Sequence, residues 1–144
     1  MPYPEMLIAP MRAEMTAMGA TELKTAAAVD EAVKSSRGTL MIVVNSVCGC
    51  AAGKARPGIA MAMRHAVKPD VLATVFAGGD VEATDRARGY FTGYAPSSPS
   101  VGILRDGKLV YMLERRDIES RSAEMIAAEL TSAFDRVCAP QPSV

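Results

Sequence analysis

Apolar and polar residues alternate along the chain in a pattern that predicts helices and strands in turn. Methionine, leucine and isoleucine recur at helical spacing over about residues 4–19, which predicts an N-terminal helix ending at Gly19. A short strand is predicted at Thr21–Lys24, and the next ten residues, Thr25–Lys34, are rich in helix formers. The continuous β-branched run Thr39–Val44 is typical of a strand that is buried on both faces.

The second half of the chain continues this alternation. A helix kinked at Pro57-Gly58 is predicted over Ala51–Val67, a strand over Asp70–Ala77 and a helix over about Val81–Phe91. The remaining elements are a hairpin and a closing helix. They are predicted at Ser100–Arg105, at Lys108–Leu113 after the turn Asp106-Gly107, and at Asp117–Cys138.

This order of elements predicts an α/β fold, with a mixed β-sheet flanked by helices and an extra N-terminal helix. The crossover connections imply parallel pairing, whereas the final hairpin is antiparallel. A length of 144 residues, of which 49% are hydrophobic, suits a single domain over residues 1–144. In such a sheet, chemistry is expected where strands end and helices begin.

Charge and cysteine content narrow the classes of function. The 16 basic and 16 acidic residues cancel, so no long-range field favours nucleic acid or an anionic membrane. The N-terminus lacks both a basic segment and an apolar run as long as a signal peptide or a membrane span requires. We therefore expect a cytoplasmic protein with no nucleic-acid and no membrane partner. In that compartment, three cysteines indicate metal, redox or packing roles rather than structural disulfides.

Cys48-Gly49-Cys50 is the strongest chemical signal, because it lies between a buried strand and an Ala-rich helix. Amide groups at the start of a helix lower the pKa of a nearby thiol. We therefore expect Cys48 to be the nucleophile and Cys50 the resolving thiol, with Lys54 and Arg56 adding positive charge if they fold back over the thiols. A bridge between residues two apart distorts the first helical turn, and Gly49 lowers that cost. The disulfide is predicted to be strained and easily reduced.

Other roles for the cysteines stay open at this point. The pair could be half of a metal or iron–sulfur site, although such sites normally take four ligands and only Cys138 and His65 remain. The pair could also be inert, or form a redox sensor that changes its partners on oxidation. Cys138 itself is predicted to be a small buried hydrophobe.

Five arginines are predicted to lie on solvated faces rather than to form an anion site. They are Arg86, Arg88, Arg115, Arg116 and Arg121.

Ser98-Pro99 is the second candidate region. It lies just before a predicted strand, where a cis peptide bond could turn the chain toward the thiols and present an unpaired backbone edge to a substrate. The order of elements, with Cys-x-Cys after the first central strand and Pro99 before the hairpin, resembles the thioredoxin-like fold. Thioredoxins have two residues between their cysteines, whereas this chain has one.

A longer match is more specific. Val43–Pro57, which includes Asn-Ser-Val-Cys-Gly-Cys-Ala-Ala-Gly, is similar to the bacilliredoxin family, and Lys68–Asp70, Thr74–Gly78, Glu82–Thr84 and Pro96–Ser100 support the match. The resemblance implies a thiol–disulfide oxidoreductase that reduces mixed disulfides between protein cysteines and a low-molecular-weight thiol, bacillithiol in that family.

The family resemblance also implies roles for individual residues. Cys48 would attack and Cys50 would resolve, while Gly49, Ser98 and Pro99 would bind the substrate. No metal and no cofactor is implied, only bacillithiol or another low-molecular-weight thiol as co-substrate, and the partners are that thiol and thiolated client proteins. General disulfide reduction or isomerisation stays open as an alternative, as does a non-catalytic metal or iron–sulfur carrier that uses the pair across a homodimer.

Overall fold

A computed structural model describes residues 2–140, and within them five strands form one sheet in the order β1-β3-β2-β4-β5. The strands are β1 (Thr21–Glu22), β2 (Thr39–Asn45), β3 (Val71–Phe76), β4 (Ser100–Arg105) and β5 (Lys108–Leu113). Strand β3 pairs in parallel with β1 and β2, whereas β4 pairs antiparallel with β2 and β5. The predicted mixed sheet with an antiparallel final hairpin is confirmed.

Helices cover both faces of this sheet. They are α1 (Glu5–Ala17), α2 (Ala26–Ser35), α3 (Arg56–Ala62), α4 (Val81–Tyr90), α5 (Arg115–Glu119) and α6 (Ala123–Val137). A π-helical segment, Ala51–Ala55, leads into α3. The extra N-terminal helix is present as predicted, and no helix among the described residues is both long and apolar enough to cross a membrane.

Strand β2 is the centre of the core, and all seven of its residues are buried. Successive side chains on a strand point to opposite faces, so β2 contributes to two apolar clusters. Met41 and Val43 pack with residues of α3 and α6, whereas Leu40, Ile42 and Val44 pack with residues of α2 and α4. Burial on both faces explains why β2 is continuously apolar rather than alternating.

The predicted kinked helix Ala51–Val67 is wrong in both its form and its end. The segment begins with the π-helical turn, and α3 ends at Ala62. Pro57 lies in the first turn of α3, where a missing backbone N–H costs nothing. A Cβ atom at Gly58 would lie 2.8 Å from the Ile126 side chain. Gly58 therefore allows α3 to pack closely against α6 rather than bending the helix.

The predicted closing helix Asp117–Cys138 is in fact two helices. Glu114 caps α5 in a reciprocal capping box with Asp117, which begins this helix earlier than predicted. The side chain of Ser122 then accepts a hydrogen bond from the Met125 N–H and starts α6. Two separate caps therefore divide the segment.

Helix α1 is held to the sheet by a buried arginine. The guanidinium of Arg12 donates to Asp80 at 2.8 and 2.9 Å and to Glu5 at 2.8 Å, and it lies 5.4 Å from the ring centroid of Phe76. Phe76 is the last residue of β3. The contact therefore places α1 at the same edge of the sheet at which β2 ends.

Candidate active site

The thiol pair lies at the carboxyl end of β2, where the helical segment begins. The carbonyl of Cys48 accepts hydrogen bonds from the N–H groups of Ala51 and Ala52, at 3.0 and 3.2 Å. Gly49 and Cys50 are the first helical residues after it. Both cysteines are half-buried free thiols, while Gly49 is exposed. Cys48 is therefore at the capping position, as the strand-to-helix junction predicted.

Several groups around Cys48 favour its thiolate form. Partial burial raises the pKa of Cys48, but the opposing influences outweigh it and the net pKa lies below the ordinary value. In order of size, these influences are a hydrogen bond with the Ser46 hydroxyl, hydrogen bonds from the N–H groups of Ala51 and Cys50, and the charge of Arg115. The backbone contribution was predicted from the helix start. The hydroxyl and the guanidinium were not.

Lys54 and Arg56 have other partners and do not fold back over the thiols, so the condition for their contribution is not met. The ammonium of Lys54 donates to the backbone carbonyl of Glu119. Arg56 is only 3% exposed and lies beneath the loop that carries the thiols. Its position follows from its place in α3, on the side of the helix that faces the protein interior.

Arg56 organises a polar network under the loop. Its Nη1 donates to Oδ1 of Asn45 and to the carbonyl of Ser46, both at 2.9 Å, and its Nε donates to Glu14 of α1 at 3.1 Å. Oδ1 of Asn45 also accepts from the Ser46 N–H, and its Nδ2 donates to the Met11 carbonyl of α1. The network therefore ties the loop to α1 and holds Ser46, whose hydroxyl accepts a hydrogen bond from the Cys48 N–H at 3.2 Å.

The Ser98–Pro99 peptide bond is cis, as the resemblance to the thioredoxin-like fold implies. Pro99 is buried and Ser98 is half-buried. The next residue, Ser100, begins β4 and pairs with Val44 near the end of β2. The structure therefore brings Ser98 and Pro99 to the sheet edge at which the thiol pair lies.

Arg115 completes this region and was not identified from the sequence. Its Nη1 donates to the Ser98 carbonyl at 3.2 Å, and its charge acts on both Cys48 and Cys50. Its side chain is 44% exposed, so the predicted solvated position is only part of its role. No local motif signals this contact, because it depends on how the β4–β5 hairpin returns the chain to the loop.

The other arginines of that group differ among themselves. Arg86 and Arg116 are exposed and pair with Asp30 and Glu114, as expected of solvated faces. Arg88 is half-buried and donates to the Ser97 carbonyl at 3.3 Å, beside the cis-proline. Arg121 is also half-buried and donates to a backbone carbonyl of α5.

Cys138 and His65 lie away from the thiol pair. Cys138 ends α6 and interacts with Thr39, the first residue of β2, about 20 Å along the strand from the loop. His65 bonds Asp135 at 2.9 Å. Within residues 2–140, the structure brings together no group of three or more His, Cys, Asp or Glu side chains that could hold a metal ion.

A mixed sheet of this topology, a thiol pair at the end of its central strand and a cis-proline on the neighbouring strand define a class of protein. It is the class of thioredoxin-fold thiol–disulfide oxidoreductases. Oxidised thioredoxin from Plasmodium falciparum superposes on this chain with a TM-score of 0.59 at 14% identity, over 84% of this chain and 100% of that one. The thioredoxin-like fold expected from the order of elements is confirmed.

The family follows from closer relatives. Residues 3–138 match the family described as disulphide isomerase. A bacilliredoxin from Koribacter versatilis is 64% identical over 94% of each chain. A bacilliredoxin from Cytophaga hutchinsonii is 53% identical over 94% of this chain and 99% of its own. The chain belongs to the bacilliredoxin family, as the resemblance of its thiol motif indicated.

Proposed function

We propose that this protein reduces mixed disulfides between protein cysteines and a low-molecular-weight thiol, and that bacillithiol is that thiol. The observation that carries the proposal is the set of groups that favours the Cys48 thiolate. A thiolate at a half-exposed helix start, with a second thiol two residues away, suits disulfide exchange. The choice of bacillithiol is supported by membership of the bacilliredoxin family.

In the proposed reaction, the Cys48 thiolate attacks the sulfur of the small thiol in the mixed disulfide. A bond forms between Cys48 and that sulfur, the original S–S bond breaks, and the client protein leaves as a thiolate. Cys50 then attacks the Cys48 sulfur, which displaces the small thiol and leaves the Cys48–Cys50 disulfide. Two molecules of a low-molecular-weight thiol restore the pair and leave as their own disulfide.

A shorter route ends without Cys50. A second molecule of the small thiol attacks the adduct on Cys48 and leaves with the first as a symmetric disulfide. The proposed substrate-binding residues serve both routes. Gly49 leaves the surface beside the thiols open because it has no side chain, while Ser98 and Pro99 shape the opposite side of the approach.

A trapping experiment tests the nucleophile and the resolving thiol together. Cys50→Ser is incubated with a client that carries bacillithiol in a mixed disulfide, and intact-mass measurement is expected to show one added bacillithiol. Peptide mapping should locate the adduct on Cys48, and the matched variant Cys48→Ser should remain unmodified. A Cys50→Ser protein without an adduct at Cys48 would show that the proposed mechanism is wrong.

The identity of the small thiol needs a parallel comparison. The same Cys50→Ser protein is offered clients that carry bacillithiol, glutathione or coenzyme A under identical conditions. Faster transfer of bacillithiol supports it as the natural co-substrate. Equal rates for all three would instead favour a general disulfide reductase.

A further inference from the structure

Arg115 is held in a fixed place beside the thiol pair. Its backbone N–H donates to the Ser97 hydroxyl at 3.3 Å, its Nη1 donates to the Ser98 carbonyl at 3.2 Å, and its Nε bonds the Glu119 carboxylate. The carbonyl of Glu119 in turn accepts from Lys54, which lies in the π-helical segment after the thiols. Contacts with the Ser97–Ser98 segment on one side, and with Glu119 on the other, therefore fix the position of this guanidinium.

One edge of the guanidinium remains available. Within the described residues, Nη2 of Arg115 donates to no protein acceptor, and the side chain is 44% exposed. Helix α5, which begins at Arg115, packs against the π-helical segment that follows the thiols, and the charge of Arg115 acts on both Cys48 and Cys50. Glu119 occupies only the Nε edge. An anionic group on an incoming molecule could therefore bind Arg115 while its sulfur meets Cys48.

We infer that Arg115 is a specificity-determining residue that makes the site favour disulfides with a net negative charge. Because Arg115 acts at the sulfur that we propose as the nucleophile, this preference rests on the proposed function. A fixed cation attracts a carboxylate on the incoming disulfide and repels an ammonium group. It also stabilises the thiolate that leaves when the new S–S bond to Cys48 forms and the old one breaks.

Three small symmetric disulfides of similar size test the preference. Dithiodipropionate carries two negative charges, hydroxyethyl disulfide is neutral, and cystamine carries two positive charges. Each is reacted at neutral pH with the full chain carrying Cys50→Ser, so that exchange stops at the mixed disulfide. The rate of adduct formation is followed by mass, and peptide mapping restricts the measurement to Cys48.

The variants are Arg115→Gln, Arg115→Lys and a matched control, Arg116→Gln. Arg116 is the next residue of the same helix, is 83% exposed and pairs with Glu114. The quantity compared is the ratio of the anionic rate to the cationic rate. Both probes react with the same thiolate, so a change in the pKa of Cys48 cancels in this ratio, and the neutral probe reports that change separately.

We expect Arg115→Gln to lower the ratio about tenfold, about threefold from each probe, as the loss of one charge about 6 Å away in water would do. Arg115→Lys should keep most of the ratio. Arg116→Gln should change it by less than about twofold, because the Arg116 charge is solvated, paired with Glu114 and screened by salt. High salt should reduce the ratio of the parent protein toward that of Arg115→Gln.

Two results would overturn the inference while leaving the nucleophile intact. One is a ratio in Arg115→Gln that equals that of the parent protein. The other is an equal fall in Arg116→Gln, which would indicate a diffuse surface field. A parent protein in which Cys48 reacts with none of the three probes would instead contradict the proposed function itself.

Discussion

Cys48 and Cys138 lie at opposite ends of β2, and their surroundings shift the pKa values of the two thiols in opposite directions. Both are half-buried, and burial is the largest influence on the pKa of each, raising it. At Cys48, hydrogen-bond donors and a cation outweigh burial. At Cys138, a hydrogen bond with Thr39 and the charge of Arg105 do not, and Asp70 opposes them, so the pKa stays raised. Hydrogen-bond donors and a nearby cation, rather than solvent exposure, account for the different pKa shifts of the two thiols.

The topology of the fold explains where those donors are. The carboxyl end of β2 leads into a helix start, where backbone N–H groups have no intrahelical partners. Cys138 instead follows the last turn of α6, where unpaired carbonyls carry partial negative charge. Cys48 therefore lies at the positive end of one helix dipole, and Cys138 lies at the negative end of another. The same residue type is a candidate nucleophile at one end and a small apolar side chain at the other.

The largest expected effect tests whether the two thiols differ in function. Cys48→Ser should lower the rate of mixed-disulfide reduction at least about a thousandfold, because it removes the thiolate that we propose as the nucleophile. Cys138→Ser should change that rate by less than about twofold. The measurement is the release of thiol from a bacillithiolated client. A large loss in Cys138→Ser, with the fold intact by circular dichroism, would assign a function to the second thiol.

The pH dependence of alkylation sharpens the comparison. Iodoacetamide reacts with the thiolate, so a lowered pKa moves the rise of the rate with pH to lower values, and a raised pKa moves it to higher values. Cys48 should therefore react at lower pH than Cys138. At neutral pH it should also react faster, because a larger fraction of Cys48 is then in the thiolate form. Mass-resolved alkylation of both peptides measures this, and coincident profiles would remove the distinction.

A smaller effect isolates one donor. Ser46→Ala removes the hydroxyl hydrogen bond that lowers the pKa of Cys48, so its alkylation profile should move to higher pH. The rate at neutral pH should fall about three- to tenfold, since one hydrogen bond contributes a net free energy of about 0.5–1.5 kcal/mol. The Cys138 profile of the same protein is the internal control. An unchanged Cys48 profile would leave the backbone N–H groups as the main support of the thiolate.

Local patterns predicted the elements whose signals are themselves local. Thr39–Val44 is a strand because its whole length is buried, and the structure extends it by one residue. Asp106 and Gly107 both have positive φ, 52° and 80°, which is the backbone that an Asp-Gly hairpin turn requires. The strand-to-helix junction likewise placed Cys48 beside backbone N–H groups. In each case, neighbouring residues alone decide the outcome.

Features that depend on distant segments were missed. No helix-stop residue near Ala62 predicts the end of α3. The sequence suggests that Gly58 bends the helix, whereas in the structure it allows α6 to pack closely. The sequence left open whether Arg56 folds back over the thiols, and its partners come instead from α1 and from the end of β2. Arg115 is far from Cys48 in sequence, and only the path of the hairpin brings the two together.

The polar network around Arg56 links α1 to the loop that carries the thiols. Arg56 is almost fully withdrawn from water, and α1 supplies Glu14, the carboxylate that pairs with it. A buried cation without that partner is costly, so detaching α1 would strain the loop that carries Ser46 and Cys48. We expect local opening of α1, by mild heating or limited proteolysis, to lower the reactivity of the Cys48 thiol while the sheet remains folded. Reactivity at Cys48 would then report the docking of a helix that contributes no residue to catalysis.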